Sequence, residues 1–149
     1  MIRLIGIDHG LARIGVAVSD RVGLTARELA IIERKSKRED FDRLNAIAAQ
    51  QEAGAFIVGL PSDFDTPKDV EYTQADRVRT WVEHFRQTTP LPIVLWDEQL
   101  TTVDAQALAR RLKRPARAHV DDLAARLILQ SYLDAVRDGL AEPPPAGEA

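Results

Sequence analysis

No cysteine occurs in the chain. Disulfides, thiolate metal sites and thiol nucleophiles are therefore excluded, and a fold held only by packing suits a reducing cytosol. Long apolar runs are also missing: none approaches the roughly 20 residues that span a bilayer. The first twenty residues carry Arg3, Asp8, Arg13 and Asp20, a pattern unlike a signal peptide, and a cytoplasmic location is expected. Aromatic residues make up only 5% of the chain. None lies in the basic stretch from 110 to 117, so base stacking and sequence-specific readout are not expected there. His9, His84 and His119 are not spaced as a zinc site. The formal net charge is −3, which gives no overall sign of a nucleic-acid binder.

What the chain does have is 149 residues, enough for one domain with a real core. Residues 2–8 are apolar on both faces and predict a central strand, and 13–19 alternate as its hairpin partner across the turn at Gly10. A weaker strand is expected between 24 and 32. A helix over 38–52 carries the stripe Phe41, Leu44, Ile47 and Ala48, with Gly54 as its stop. A short strand over 55–60 is halted by Pro61, and a helix begins at Pro67 and runs to about 87. A strand over 92–97 follows, then a helix to about 112 opened by Thr101 and Asp104, and a last helix over 121–138. This order implies a mixed sheet flanked by helices, an α/β domain over residues 1–140, with 141–149 a mobile proline-rich tail.

Three acids stand at the ends of apolar segments: Asp8, Glu98 and Asp121. Carboxylates at the ends of buried elements are costly to bring together unless a cation neutralises them, and hard divalent cations take oxygen ligands. Each acid also has an ordinary reading. Asp8 can serve as a turn residue. Asp97 and Glu98 face opposite ways along a strand, so only one of them can join a shared site. Asp121 and Asp122 can both cap a helix start. The stretch Arg110, Arg111, Lys113, Arg114 and Arg117 places five cations in eight residues without an acid, either a phosphate-binding surface or a solvated helix end. A second cluster, Arg34, Lys35, Lys37 and Arg38, is diluted by Glu39, Asp40 and Asp42. The strand-turn-strand at Asp8-His9-Gly10 is also compatible with the phosphate hairpin of actin-like kinases. Those kinases need two domains around the nucleotide, and this chain has room for one.

Five blocks occur in order: Gly6-Ile7-Asp8-His9-Gly10 with Arg13 to Asp20, Ile57-Val58-Gly59-Leu60-Pro61, Asp97 to Thr102, Val120 to Ala125, and Ile128 to Leu133. In these the chain resembles the bacterial Holliday-junction-resolvase-like proteins, also described as pre-16S rRNA nucleases. The resemblance implies an RNase H-like fold with a mixed five-stranded sheet. It also implies a catalytic and metal-binding triad of Asp8, Glu98 and Asp121, with Mg²⁺ or Mn²⁺, two ions, as cofactor. Arg13 and the cluster Arg110, Arg111, Lys113, Arg114 and Arg117 are the expected nucleic-acid contacts, and Asp122 is a reserve candidate for the helix ligand. The expected substrate is an RNA precursor, with branched DNA as the alternative. Symmetric cutting of a four-way junction would require a homodimer; otherwise a monomer suffices. A binding module without catalysis is the non-enzymatic alternative, against which three mutually repelling carboxylates argue. Two positions depart from the family pattern: Gln99 replaces an arginine, and Asp65-Thr66 replaces an Asp-Gly pair.

Overall fold

The computed structural model describes residues 2–62, 71–98 and 102–145. Five strands form one mixed sheet: β1 (Arg3–His9), β2 (Arg13–Ser19), β3 (Ala26–Glu33), β4 (Ala53–Pro61) and β5 (Ile93–Glu98), in the order β3-β2-β1-β4-β5. The first three make an antiparallel meander, while β4 lies parallel to β1 and β5 parallel to β4. Parallel neighbours need crossover connections, and these are supplied by α1 (Lys37–Gln50) and α2 (Gln74–Arg86). Two further helices, α3 (Thr102–Arg111) and α4 (Asp121–Arg137), complete the chain. The mixed five-stranded sheet flanked by helices is the architecture expected from the sequence.

Strand alternation sorts the side chains into two cores. On one face Ile5, Ile7, Phe56 and Val58 pack under α1 and α2 with Phe41, Leu44, Trp81 and Phe85. On the other, Leu4, Ala55 and Ile57 pack under Ala125, Leu129 and Tyr132 of α4. The central strands are therefore apolar on both faces. Helix α3 joins the second layer through Leu108 and Ala109 against Leu123.

Two helix ends differ from expectation. Helix α1 stops at Gln50, and the left-handed residue that reverses the chain is Glu52 (φ 53°), not Gly54. Gly54 lies inside β4, where a Cβ would sit 2.5 Å from Ile2 Cδ1, so it is a close-approach glycine. Helix α2 starts at Gln74 rather than Pro67, because Thr73 and Asp76 form a reciprocal capping box. Pro67, and the opening of α3 expected from Thr101, lie outside the described residues, as do Asp65, Thr66 and Gln99. At the other end of the chain, Tyr132 donates its hydroxyl proton to the Glu142 carbonyl at 2.6 Å, placing the first tail residues against α4.

Candidate nuclease site

Asp8 lies one residue before the end of β1 and pairs across the hairpin with Gly15 of β2. Its face of the sheet is set by Gly6 two residues earlier, where a Cβ would meet Leu129 Cβ of α4 at 2.7 Å. Asp8 therefore points to the α4 side. Gly15 decides what it meets there. A Cβ on Gly15 would fall 1.8 Å from the Asp121 carbonyl oxygen, so the first turn of α4 occupies the space of the missing side chain. Directly across the ladder from Asp8, that contact makes Asp121 a neighbour of Asp8.

The electrostatics follow from this placement. Burial first, and then the negative charge of Asp121, push the Asp8 carboxyl up from 3.8 to about 6. Asp121 has its own cation: Arg13 of β2 donates from Nε to its Oδ2 at 3.0 Å, with the aspartate side chain 17% exposed. On the opposite face of β1, His9 is buried against Trp81, with ring centroids 4.8 Å apart. Burial, reinforced by the Arg34 charge, holds His9 down at about 4, so it is neutral at physiological pH. Neither of its ring nitrogens has a hydrogen-bond partner among the described residues.

Asp8, Arg13 and Asp121 open into a cavity of about 650 Å³. Its far wall is α3, through Ala105, Gln106, Ala109 and Arg110, together with the α3–α4 connection from Arg114 to Val120. Two acids thus sit at the bottom of a cleft with cations on its sides. Of the predicted basic residues, Arg13, Arg110 and Arg114 line the cleft; Arg111, Lys113 and Arg117 are exposed and do not. Arg114 is already engaged, donating to both Asp122 oxygens at 2.8 Å. Asp122, the reserve ligand, is buried in that pair and also accepts from the Leu123 amide at 2.9 Å, while Asp121 is the acid that faces Asp8. Gln106 and His119 line the cleft without having been singled out as site residues. His119 stands two positions before Asp121, which is the signal that could have found it.

Glu98 ends β5 opposite Pro61. Trp96 stacks edge-on against Tyr132 of α4, so alternation gives position 98 the α4 face and position 97 the other. The Glu98 side chain lies outside the described residues. Among the described residues no group of three or more His, Asp or Glu side chains assembles into a metal site.

A mixed sheet with an acid near the end of its central strand, and a helix bringing a second acid to the same face, matches the RNase H-like fold expected from the sequence. A family profile described as RuvX, Holliday junction resolvase, matches residues 2–135, and the chain belongs to that family. A protein of Thermoanaerobacter pseudethanolicus named "Putative pre-16S rRNA nuclease" is 41% identical over 140 residues, covering 91% of this chain and 99% of the relative. One of the same name from Syntrophus aciditrophicus is 36% identical over 137 residues, covering 90% and 89%. Among solved structures, T. thermophilus RuvC in complex with a Holliday junction substrate superposes with a TM-score of 0.61 at 17% identity, covering 97% of this chain and all of that one. The Fowlpox virus resolvase bound to junction DNA gives 0.51 at 11% identity, covering 91% and 99%. At these identities the likeness establishes the fold. No helix among the described residues is long and apolar enough to cross a membrane.

Proposed function

We propose that the protein is a metal-dependent nuclease of the cytosol that hydrolyses phosphodiester bonds in the precursor of 16S rRNA. The observation that carries this reading is the Asp8–Asp121 pair at the floor of a cation-sided cleft, in a chain whose relatives are named for pre-16S rRNA. The donor set fits a hard divalent cation. Asp8 titrates near 6 because its charge is desolvated and opposed by Asp121, and a cation between them would remove both penalties. Asp8 and Asp121 would hold Mg²⁺ or Mn²⁺, with Glu98 as the third ligand. When bound, two such ions supply Lewis-acid activation of water and stabilise charge on the leaving oxygen.

The remaining work falls to the chain itself. Arg13 steadies one oxygen of the Asp121 carboxylate with a single hydrogen bond. Arg110, which lines the opposite wall, would hold a substrate phosphate, and the exposed Arg111, Lys113 and Arg117 would extend that positive edge. Such contacts position a strand without reading its bases.

Four-way DNA junctions are the second substrate reading, favoured by the family description and by the resolvase folds. Symmetric junction cutting needs two active sites and hence a dimer, whereas trimming an RNA end needs one. The test is incubation of purified protein with precursor RNA, linear duplex DNA and four-way junctions, with Mn²⁺ or with chelator. Metal-dependent cleavage of the RNA that is lost in Asp8→Asn is the expected result. Cleavage of junctions alone transfers the assignment to DNA, and cleavage that persists in chelator overturns the metal reading.

A further inference from the structure

The sequence expectation for Arg114 is a phosphate contact, but its guanidinium is committed elsewhere. It grips Asp122 with two parallel bonds of 2.8 Å, donates to the His119 carbonyl at 3.2 Å, and lies 3.8 Å from Glu28 of β3. Glu28 in turn meets Arg126 of α4 at 3.5 Å. This chain of charges ties three elements together: the edge strand β3, the α3–α4 connection, and the first two turns of α4. Two planar bonds fix both distance and direction, which a single ammonium contact does not.

The connection needs such a tie. Residues 115–119 are exposed, so burial does little to hold them. Lys113 takes φ 60°, a left-handed turn that ends α3 and sends the chain back toward α4. Yet Pro115, Ala116, Ala118 and His119 form one wall of the cleft. Asp122, the other half of the grip, follows directly on Asp121 and is buried.

We propose that Arg114 is a positioning residue: its fork on Asp122 holds the 115–120 wall and the first turn of α4 in place, and through that turn orients Asp121. Its catalytic consequence rests on the assignment of Asp8 and Asp121 as the cleavage site. The rigidity of the wall does not.

The experiment compares Arg114→Ala, Arg114→Lys and Asp122→Asn with the wild type, full length, in three measurements. Amide hydrogen exchange should accelerate locally over residues 116–124 in all three variants. The kcat per folded molecule on the cleaved nucleic acid should fall by about 10–100-fold with KM little changed, since a displacement of about 1 Å at a reacting group can cost about 10²-fold. Arg114→Lys keeps the charge but loses the fork, so it should resemble Arg114→Ala. The salt dependence of nucleic-acid binding should keep its slope in Arg114→Ala. A slope smaller by roughly 0.7–0.9, with rescue by lysine, would make Arg114 a phosphate contact and overturn the proposal. Unchanged kcat per folded molecule in Arg114→Lys and Asp122→Asn would also overturn it, leaving a stabilising ion pair only. If the wild type cleaves none of the nucleic acids offered, the proposed function fails by itself. Exchange then decides the grip, with unchanged protection at 116–124 refuting it.

Discussion

Replacing Asp8 by Asn should make the metal-free protein more stable and the metal-loaded protein inert, and the first effect has a size that follows from the structure. The Asp8 carboxyl is pushed from 3.8 to about 6, chiefly by burial and secondarily by Asp121. At about 1.36 kcal/mol per pH unit, holding it ionised at neutral pH costs the fold about 3 kcal/mol. Because the folded-state value lies above the unfolded one, the native state carries no penalty below 3.8. Stability is lost progressively as pH rises through about 6, and the loss is complete above that. An amide keeps the shape of the side chain without the charge. For a chain of this size each kcal/mol moves Tm by about 2–4 °C, so Asp8→Asn should melt about 6–12 °C higher than wild type at pH 7.5 in chelator, and no higher at pH 3.5. His9 does not confuse the comparison. Its depressed value, about 4, costs stability as pH falls below 6.5, but does so in both proteins and cancels in the difference. Adding Mn²⁺ should reverse the ranking, since a ligand stabilises only the form that binds it. Thermal melts of the two proteins at the two pH values, with and without Mn²⁺, decide the matter. A Tm gain equal at both pH values would mean that packing rather than charge is responsible. Wild-type cleavage by a folded Asp8→Asn variant would remove Asp8 from the site.

Glu98→Gln should lower single-turnover cleavage by orders of magnitude and Asp97→Asn far less, because neighbouring strand residues face opposite ways and Trp96, two positions before 98, packs on α4; the reverse ranking would show that the wrong acid was chosen. Replacing Arg110 and Arg111 together by Ala should reduce the salt slope of binding by roughly 1.4–1.8 if both touch phosphate, with metal affinity unchanged; a constant slope would leave them as a solvated helix end. Gly15→Ala should displace the first turn of α4 by more than about 1 Å, since its Cβ would fall 1.8 Å from the Asp121 carbonyl oxygen. A cost of about 1–3 kcal/mol in a denaturant titration and about 10²-fold in kcat are expected, and retained activity would mean that the acids need not be held so closely.

The sheet was legible because its strands carry their pattern locally. Residues 2–8 are apolar on both faces and 13–19 alternate, patterns evident before any partner is known, and the structure pairs the two strands within one residue of those bounds. Helix ends were less legible where two residues competed for one role. Gly54 looked like the stop of α1, but the chain reverses at Glu52, and the glycine is needed three-dimensionally, by Ile2. The capping pair Thr73 and Asp76 stands in the sequence as a Thr-x-x-Asp spacing, close enough to Pro67 for either to start the helix on local pattern alone.

Within the proposed site, the sequence nominates the acids but not what brings Asp8 and Asp121 together. That work is done by residues with nothing to show. Gly6 and Gly15 lie on neighbouring strands and on the same face, and at each the helix fills the volume a side chain would need. A helix seated so low on the sheet carries its N-terminal acid to the depth of Asp8. The same depth desolvates Asp8 and lifts its pKa to about 6. The basic run shows the converse. Arg110 and Arg114 look alike in a list of cations, yet one lines the cleft from a helix face and the other is turned back onto Asp122 by the left-handed residue before it. A charge in a sequence states what a side chain can bind. Backbone direction decides which partner it reaches first, and at Arg114 that partner is Asp122, the neighbour of Asp121.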